Sequence, residues 1–192
     1  MNRSALIVTS IKHCDTAQET LRVQDTVAAL RRHGWAVDVL TPRASPLLLA
    51  TLAADVRVFT VPRLPLLRRA LLLLRGFALA SKCGYHVLHG IDEGADIVRA
   101  IDRFTFKRSE CVAELHHPEL VGRGTVASAA AVIVSDEETL ERCVAAPPKA
   151  RLSVLPDPHA ELAGNAFTAA EFADALDGIY TYVLRKRREE GK

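Results

Sequence analysis

The feature of this sequence that most constrains its fold is the alternation of short apolar runs with longer segments of helical periodicity. Runs rich in β-branched residues predict strands at 4–10, 35–41, 55–62, 85–90, 111–116, 130–135 and 151–156. Helices are predicted at 16–33, 64–82, 93–104, 137–145 and 168–188, with a weaker one at 45–54. This alternation is typical of a doubly wound, Rossmann-like α/β fold, with a mainly parallel sheet of about seven strands and helices on both faces.

The length and composition of the chain agree with one folded domain. It has 192 residues, of which 49% are hydrophobic and 25% charged, and its formal net charge is +2. Such a chain can bury one sizeable core but is short for two domains, and this balance excludes intrinsic disorder. We therefore expect residues 1–192 to form a single domain, and we expect no nucleic-acid partner.

The spacing of the cysteines and the length of the apolar runs indicate the cellular compartment of the protein. No C-x-x-C pair occurs among the four cysteines, Cys14, Cys83, Cys111 and Cys143. With no signal peptide at the start of the sequence, this spacing favours reduced thiols in the cytoplasm. The most apolar stretch, 70–74, has arginines on both sides, so no window reaches the roughly 20 apolar residues of a transmembrane helix.

Motifs for the common nucleotide cofactors are missing. The first predicted strand is followed by Ser10-Ile11-Lys12-His13, where a dinucleotide-binding domain would carry G-x-G-x-x-G. Neither G-x-x-x-x-G-K-[ST] nor G-x-S-x-G occurs, which argues against a P-loop enzyme and an α/β-hydrolase. We expect no cofactor.

Polar side chains collect where the predicted strands end. Doubly wound sheets bind ligands outside the carboxyl ends of their strands, so these residues form the candidate ligand-binding set. The candidates at this cleft edge are Lys12, His13, His89, Asp92, His116, His117, Ser135 and Asp157. Asp92-Glu93 and Ser135-Asp136-Glu137 also match the N-cap and first turn of a helix, and the two roles can coexist.

The stretch VAELHHPEL at 112–120 raises a choice between metal binding, catalysis and structure. No H-x-x-x-H, H-x-H or H-E-x-x-H spacing supplies two metal ligands from one element, and adjacent strand residues point to opposite sides. We therefore predict no metal site at His116 and His117. A general base or a substrate hydrogen-bond partner needs only one histidine; a structural histidine is the alternative.

The segment 62–82 combines leucines with cations. Arg68, Arg75 and Lys82 recur every seven residues and so form one basic stripe on the predicted helix. One interpretation packs the leucines on the sheet and leaves the cations in solvent. The other has the helix contact an anionic membrane surface or a protein partner.

The order of the segments carries a family resemblance. SALIVTS, a helix and HGWAVDVLT open the chain, and VRVFTVPRLP, YHVLHGIDEGADIVRAI, VAELHHPEL, AAVIVSDEETLERC and ARLSVLPDPHA follow. Over about residues 4–160, this order resembles the N-terminal domain of family 4 glycosyltransferases of the GT-B fold. His89 stands in the place of a usual family histidine, and His86 replaces a usual aspartate. The resemblance implies that His116 is the histidine at the catalytic cleft.

Two departures from the family pattern qualify what the resemblance implies. The first loop, IKHCDTAQE, lacks the usual glycines, and the C-terminal domain whose E-x7-E region holds the nucleotide sugar is absent from these 192 residues. FTAAEFADALDGIYTYVLRKR resembles the helix that ends full-length members and crosses back onto the N-terminal domain. The expectation is thus a stand-alone N-terminal, acceptor-side domain with the helix 168–188 packed back on it.

Three functions stay open at this point. The first is an acceptor-side half, inactive alone, that acts with a separate donor-binding glycosyltransferase subunit or regulates a full-length enzyme. The expected partner is such a donor-binding subunit or a second copy of this chain in a homo-oligomer. It would take a lipid-linked or anionic acceptor, in the cytoplasm or peripherally on the inner face of the membrane. The second is a non-catalytic binding or scaffold protein of the same fold. The third is a small independent enzyme that uses His, Asp and Glu residues at the strand edge.

Overall fold

The computed structural model describes most of the predicted elements. The described residues are 3–9, 17–42, 49, 52, 55–62, 64, 66–106, 108–117, 123–144, 151–156 and 168–190. Lys12, His13 and Asp157 of the predicted ligand-binding set lie outside these ranges, and so does most of the weak helix predicted at 45–54.

The described residues form one seven-stranded sheet in which every neighbouring pair is parallel, in the order β3-β2-β1-β4-β5-β6-β7. The strands are β1 Ser4–Val8, β2 Ala36–Thr41, β3 Arg57–Thr60, β4 Val87–Ile91, β5 Glu110–Leu115, β6 Ala131–Val134 and β7 Arg151–Val154. The helices are α1 Ala17–Arg32, α2 Arg68–Cys83, α3 Glu93–Phe104, α4 Arg123–Ser128, α5 Glu137–Val144 and α6 Ala169–Glu190. The predicted Rossmann-like α/β fold is confirmed.

Side chains of the central strands alternate between two helical layers. Ala5 and Ile7 of β1 pack in the core formed with α1 and α6, whereas Leu6 and Val8 pack in the core formed with α2 and α3. A third cluster packs α4 and α5 beside β5 and β6. Because helices cover both faces, the central strands appear in the sequence as continuous apolar runs.

The last helix packs against the first. α6 starts with a capping box, in which the Thr168 backbone N–H donates to Glu171 Oε2 at 2.8 Å and the Glu171 N–H donates to Thr168 Oγ1 at 3.2 Å. Its inward face is fully buried and consists of Phe172, Leu176, Tyr180 and Val183. Trp35 Nε1–H also donates to Asp177 Oδ1 at 2.7 Å. α6 therefore contributes directly to the core beneath β1, β4 and β5.

The helix predicted at 64–82 begins later, at Arg68. Before it, the Leu64 carbonyl oxygen accepts the N–H groups of Leu67 and Arg68 in a turn. The buried side of α2 consists of Leu72, Gly76, Leu79 and Ala80. In the part of the chain that the structure describes, no helix combines the length and the apolar character needed to cross a membrane.

The strand order changes direction between β1 and β4, which is where doubly wound sheets bind ligands. α3 starts directly after β4, and its Gly94 lies against the end of β1. A Cβ atom on Gly94 would lie 2.2 Å from the Val8 carbonyl oxygen. Glycine at this position therefore allows α3 to begin close to the sheet.

We expect Gly94→Ala to lower the free energy of unfolding by about 1–3 kcal/mol, because the new methyl group would meet backbone atoms rather than a movable side chain. Gly178→Ala is the matched control, since nothing lies within 4 Å of the Cβ that it would add in α6. That change should raise the free energy of unfolding by about 0.5–1 kcal/mol through helix propensity. Urea unfolding measures both, and equal effects would contradict the close approach of Gly94 to β1.

Candidate functional site

The site at the carboxyl edge of the sheet is built around Glu114, a charged residue on an apolar strand face. Glu114 lies on β5, and its side chain is on the same side of the strand as Val112, which packs in the core with α1 and α6. The residue is 0% exposed. A carboxylate buried to this extent needs partners that replace its lost hydration.

Arg22 of α1 is the principal partner of this carboxylate. Its Nε atom lies 2.5 Å from Glu114 Oε1, and the arginine side chain is only 4% exposed. Its terminal nitrogens donate to the carbonyl oxygens of Pro156 and Leu155, each at 3.3 Å, and its guanidinium carbon lies 4.6 Å from the ring centroid of Phe172. The buried ion pair thus connects α1, β5, the end of β7 and α6.

Two histidines complete the surroundings of the carboxylate. His116 Nε2 lies 3.0 Å from Oε1, and His89 Nε2 lies 3.0 Å from Oε2 in a contact that does not have the geometry of a hydrogen bond. The other ring nitrogen of His89, Nδ1, lies 2.6 Å from the Tyr180 hydroxyl. Burial raises the pKa of Tyr180, so its hydroxyl stays protonated. A His89 tautomer with its proton on Nε2 places that N–H opposite the Glu114 carboxylate and leaves Nδ1 to accept a hydrogen bond from the Tyr180 hydroxyl.

The electrostatic balance keeps Glu114 ionised. Burial alone would raise its pKa, but the charge of Arg22 and the N–H groups of His116 and His89 hold the pKa well below its ordinary value of 4.5. For His116, burial acts in the opposite direction and lowers the pKa. The hydrogen bond to Glu114 and the negative charge of Glu114 outweigh burial and raise the pKa of His116 above its ordinary value of 6.5. His116 is 23% exposed, so it connects the buried charges with the surface.

Asp92 orients the backbone that carries His116. Its carboxylate Oδ1 accepts the backbone N–H groups of both His116 and His117, each at 2.8 Å. The expected N-cap role is wrong for its side chain, which makes no capping hydrogen bond to α3. Its backbone has φ 47° and ψ −120°, a conformation that costs free energy for a residue other than glycine.

The second acidic group does cap its helix. Asp136 Oδ1 accepts the Thr139 backbone N–H at 2.7 Å at the start of α5, and Ser135 Oγ donates to Asp136 Oδ2 at 2.9 Å. The Thr139 hydrogen bond is the main cause that lowers the pKa of Asp136, and the charge of His116 contributes. Asp136 therefore caps α5 and belongs to the electrostatic surroundings of His116.

The structure brings several of the predicted cleft-edge residues together. His116, His117, Asp92 and Ser135 lie at the carboxyl ends of β4, β5 and β6. His89 points inward to Glu114 and is 0% exposed, so it supports the site from below rather than lining its surface. Among the described residues, no group of three or more His, Cys, Asp or Glu side chains is placed to hold a metal ion.

The residues at the centre of this site lie outside the set predicted from the sequence. Glu114 and Arg22 were not among the candidates, because they lie inside predicted elements rather than after them. Each nevertheless carries a signal, since Glu114 interrupts an apolar strand and Arg22 lies between Leu21 and Val23 on a helix. A charge within an apolar pattern indicates a buried ion pair or a functional group.

The predicted basic stripe runs along α2. Arg68 is half-buried at its start, Arg75 and Lys82 are exposed, and the Arg75 guanidinium carbon lies 5.7 Å from the Phe59 ring centroid. Next to the stripe is a group of exposed leucines, Leu64, Leu66, Leu67 and Leu74, with Leu66 99% exposed. We call Arg68, Arg75 and these leucines the apolar–basic patch. Most of the patch lies at the carboxyl edge of the sheet, because Leu64, Leu66, Leu67 and Arg68 follow the carboxyl end of β3.

Comparison with known proteins gives a fold but no sequence family. No protein-family model and no curated protein match the sequence. A sucrose-phosphate synthase structure from Thermosynechococcus elongatus, in a form designated 27–220 and 406–426, is similar with a TM-score of 0.63 at 16% identity, covering 93% of this chain and 98% of that chain. Anabaena HepE in complex with UDP-glucose gives 0.58 at 16% identity, with 80% and 43% covered. Acinetobacter baumannii MurG gives 0.58 at 8% identity, with 85% and 47% covered.

These structural neighbours are glycosyltransferases of the GT-B fold. At such low identities the likeness shows a shared fold, and the fold is therefore glycosyltransferase-like. Apart from the shorter synthase form, this chain covers between 43% and 54% of each of seven neighbouring chains.

We expect Glu114→Gln to lower the free energy of unfolding by about 3–5 kcal/mol near pH 7, because Arg22 would remain buried without a countercharge. Glu138→Gln is the control, since Glu138 pairs with Arg142 on the exposed side of α5, and such pairs contribute little. Urea unfolding of the three proteins measures the difference.

The pH dependence adds a second criterion. A carboxylate with a lowered pKa stabilises the fold above its unfolded pKa, so the Glu114 contribution should be complete above pH 4.5 and be lost as the pH falls below that value. The difference in free energy of unfolding between the wild type and Glu114→Gln should therefore become smaller as the pH falls below 4.5. A gap that stayed constant would contradict an ionised Glu114.

Proposed function

We propose that this chain is the acceptor-side half of a GT-B sugar-transfer system and that another domain supplies the donor-binding half. The observation that carries the proposal is the match of one Rossmann-like unit to about half of each larger neighbour, with an oriented histidine at the edge where such a unit faces a cleft. Two-domain glycosyltransferases react in the cleft between their halves, so this half alone should not transfer sugar.

The arrangement of α6 supports the N-terminal, acceptor-side assignment. The designation of the sucrose-phosphate synthase form, 27–220 and 406–426, contains an early range and a later one. Here the last helix, α6, packs in the core with α1 and the first strands. A final helix that returns to an N-terminal unit fits this pattern, and the unit 1–192 then comprises the sheet together with α6.

In this proposal, His116 is the general base that accepts the proton of the acceptor hydroxyl group. Its Nε2 atom is directed to Glu114, which leaves Nδ1 to face a ligand. The acceptor oxygen bonds to the anomeric carbon of a nucleotide sugar, the bond from that carbon to the nucleotide phosphate breaks, and the hydroxyl proton passes to Nδ1. Glu114 stabilises the imidazolium that results, as a carboxylate does in other histidine-based sites.

The remaining edge residues have supporting roles in the proposal. Asp92 fixes the backbone of His116 and His117, and Ser135 lies at the neighbouring strand end. We also propose that Lys12, His13 and Asp157 contribute to ligand binding. HepE binds UDP-glucose in its own structure, and we propose a nucleotide sugar of this class as the donor.

The apolar–basic patch suggests how an acceptor reaches the cleft. Exposed leucines beside cations suit the interface of an anionic membrane, where acyl chains and phosphate groups lie together. The patch is at the same edge of the sheet as His116. We therefore propose a lipid-linked, anionic acceptor and peripheral binding to a membrane surface.

Replacing His116 tests the catalytic assignment. We expect His116→Asn to lower sugar transfer by about 10²–10⁴-fold, because the proton acceptor is lost, when the chain is assayed with a donor-binding domain recovered by co-purification. His33→Gln is the control, since His33 follows α1 on the opposite edge of the sheet and pairs with Asp174. Sugar transfer by the chain alone, or full transfer with His116→Asn, would contradict the proposal.

Vesicle binding tests the patch separately. We expect the double variant Arg68→Glu/Arg75→Glu to bind vesicles rich in anionic phospholipid at least about tenfold more weakly than the wild type, because each cation near such a surface contributes about 1 kcal/mol. Arg185→Glu/Arg188→Glu on α6 is the matched control and should bind like the wild type. Equal binding of both variants, or wild-type binding to neutral vesicles alone, would rule out this membrane surface.

A further inference from the structure

Arg22 and His116 share one oxygen atom of Glu114. Arg22 Nε lies 2.5 Å from Oε1 and His116 Nε2 lies 3.0 Å from the same atom. The second oxygen, Oε2, faces His89, which the Tyr180 hydroxyl holds in place. Arg22 and His116 therefore both contact the negative charge at Oε1, while the other oxygen faces His89 of β4.

Of Arg22 and His116, only His116 can lose its positive charge by deprotonation near neutral pH. Arginine remains protonated throughout the pH range of proteins, whereas histidine titrates near neutrality. Arg22 is also held by two carbonyl oxygens and the Phe172 ring. It therefore compensates Glu114 permanently, whatever the state of His116.

The charges that face His116 come from four parts of the fold. Glu114 of β5 and Asp92 at the start of α3 favour the protonated ring, whereas Arg22 of α1 opposes it. Asp136, before α5, interacts with the charge of His116 as well. Among these, Arg22 is the cation that offsets the nearby carboxylates.

From this geometry we infer that Arg22 is the positioning residue that keeps His116 able to accept a proton, by compensating Glu114 through the oxygen that His116 contacts. Without Arg22, the buried carboxylate would draw its countercharge from His116 and hold the ring as an imidazolium. A ring that is already protonated cannot take the proton of a hydroxyl group. The inference rests on the proposed function for its catalytic meaning, but its electrostatic content can be measured without sugar transfer.

Titration of the His116 ring by NMR tests the inference on the intact chain. We expect Arg22→Gln to raise the pKa of His116 by about one unit or more, the usual effect of a nearby charge, and Arg22→Lys to restore most of the wild-type value. Arg31→Gln is the control, since Arg31 lies on the same helix and pairs with Asp55 near the opposite edge. An unchanged or lowered pKa in Arg22→Gln would overturn the inference.

A double variant covers the case in which Arg22→Gln does not fold. Arg22→Gln/Glu114→Gln removes both buried charges, which is often tolerated better than removing one. With its carboxylate partner gone, His116 should titrate below the wild-type value. A value at or above wild type in this double variant would also overturn the inference, because it would show that the Glu114–Arg22 pair does not control the ring.

Sugar transfer provides the readout that separates positioning from structure. With the donor-binding domain present, we expect the acid limb of the pH–rate profile to move to higher pH in Arg22→Gln and the rate to recover there. A uniform loss at every pH would overturn the inference. If no transfer occurs with wild type while the NMR shift in Arg22→Gln is found, the proposed function fails and the electrostatic role of Arg22 stands.

Discussion

The buried ion pair between Glu114 and Arg22 is the interaction on which the rest of this site depends. A carboxylate at 0% exposure is tolerable only because the guanidinium and two histidine rings surround it. These partners come from α1, β4 and the end of β5, and Phe172 and Tyr180 of α6 hold two of them in place. The first and last helices are therefore joined by apolar packing and also by the charge they enclose.

The same charge gives the carboxyl edge of the sheet its chemistry. A surface histidine in water is free to rotate and titrates near its ordinary pKa, whereas His116 is oriented by Glu114 through one ring nitrogen and by Asp92 through its backbone. The strained backbone of Asp92 and the close approach of Gly94 to β1 place these groups beside the point where the strand order reverses. Apolar packing positions the strand ends. The buried carboxylate of Glu114 orients His116, at the end of β5, as a candidate proton acceptor.

The sequence was sufficient to predict the fold but not the centre of the site. Strands covered on both faces produce apolar runs that are visible without a structure, and β1 to β7 lie where those runs are. Hydrophobic pattern shows which face a residue occupies, however, and it does not show what the residue meets there. Glu114 and Arg22 are 92 residues apart, so their pairing depends on tertiary structure, and the backbone role of Asp92 resembles helix capping in sequence.

The central claim, that Glu114 is a buried, ionised carboxylate, can be tested by infrared difference spectroscopy of wild type against Glu114→Gln. At pH 4.5, an ordinary glutamate is half protonated. The account predicts that the Glu114 signal at this pH consists of carboxylate bands alone, with no carbonyl band of a protonated acid. A protonated-acid band for Glu114 at pH 4.5 would show that Arg22 and the histidines do not hold its charge, and it would contradict the account.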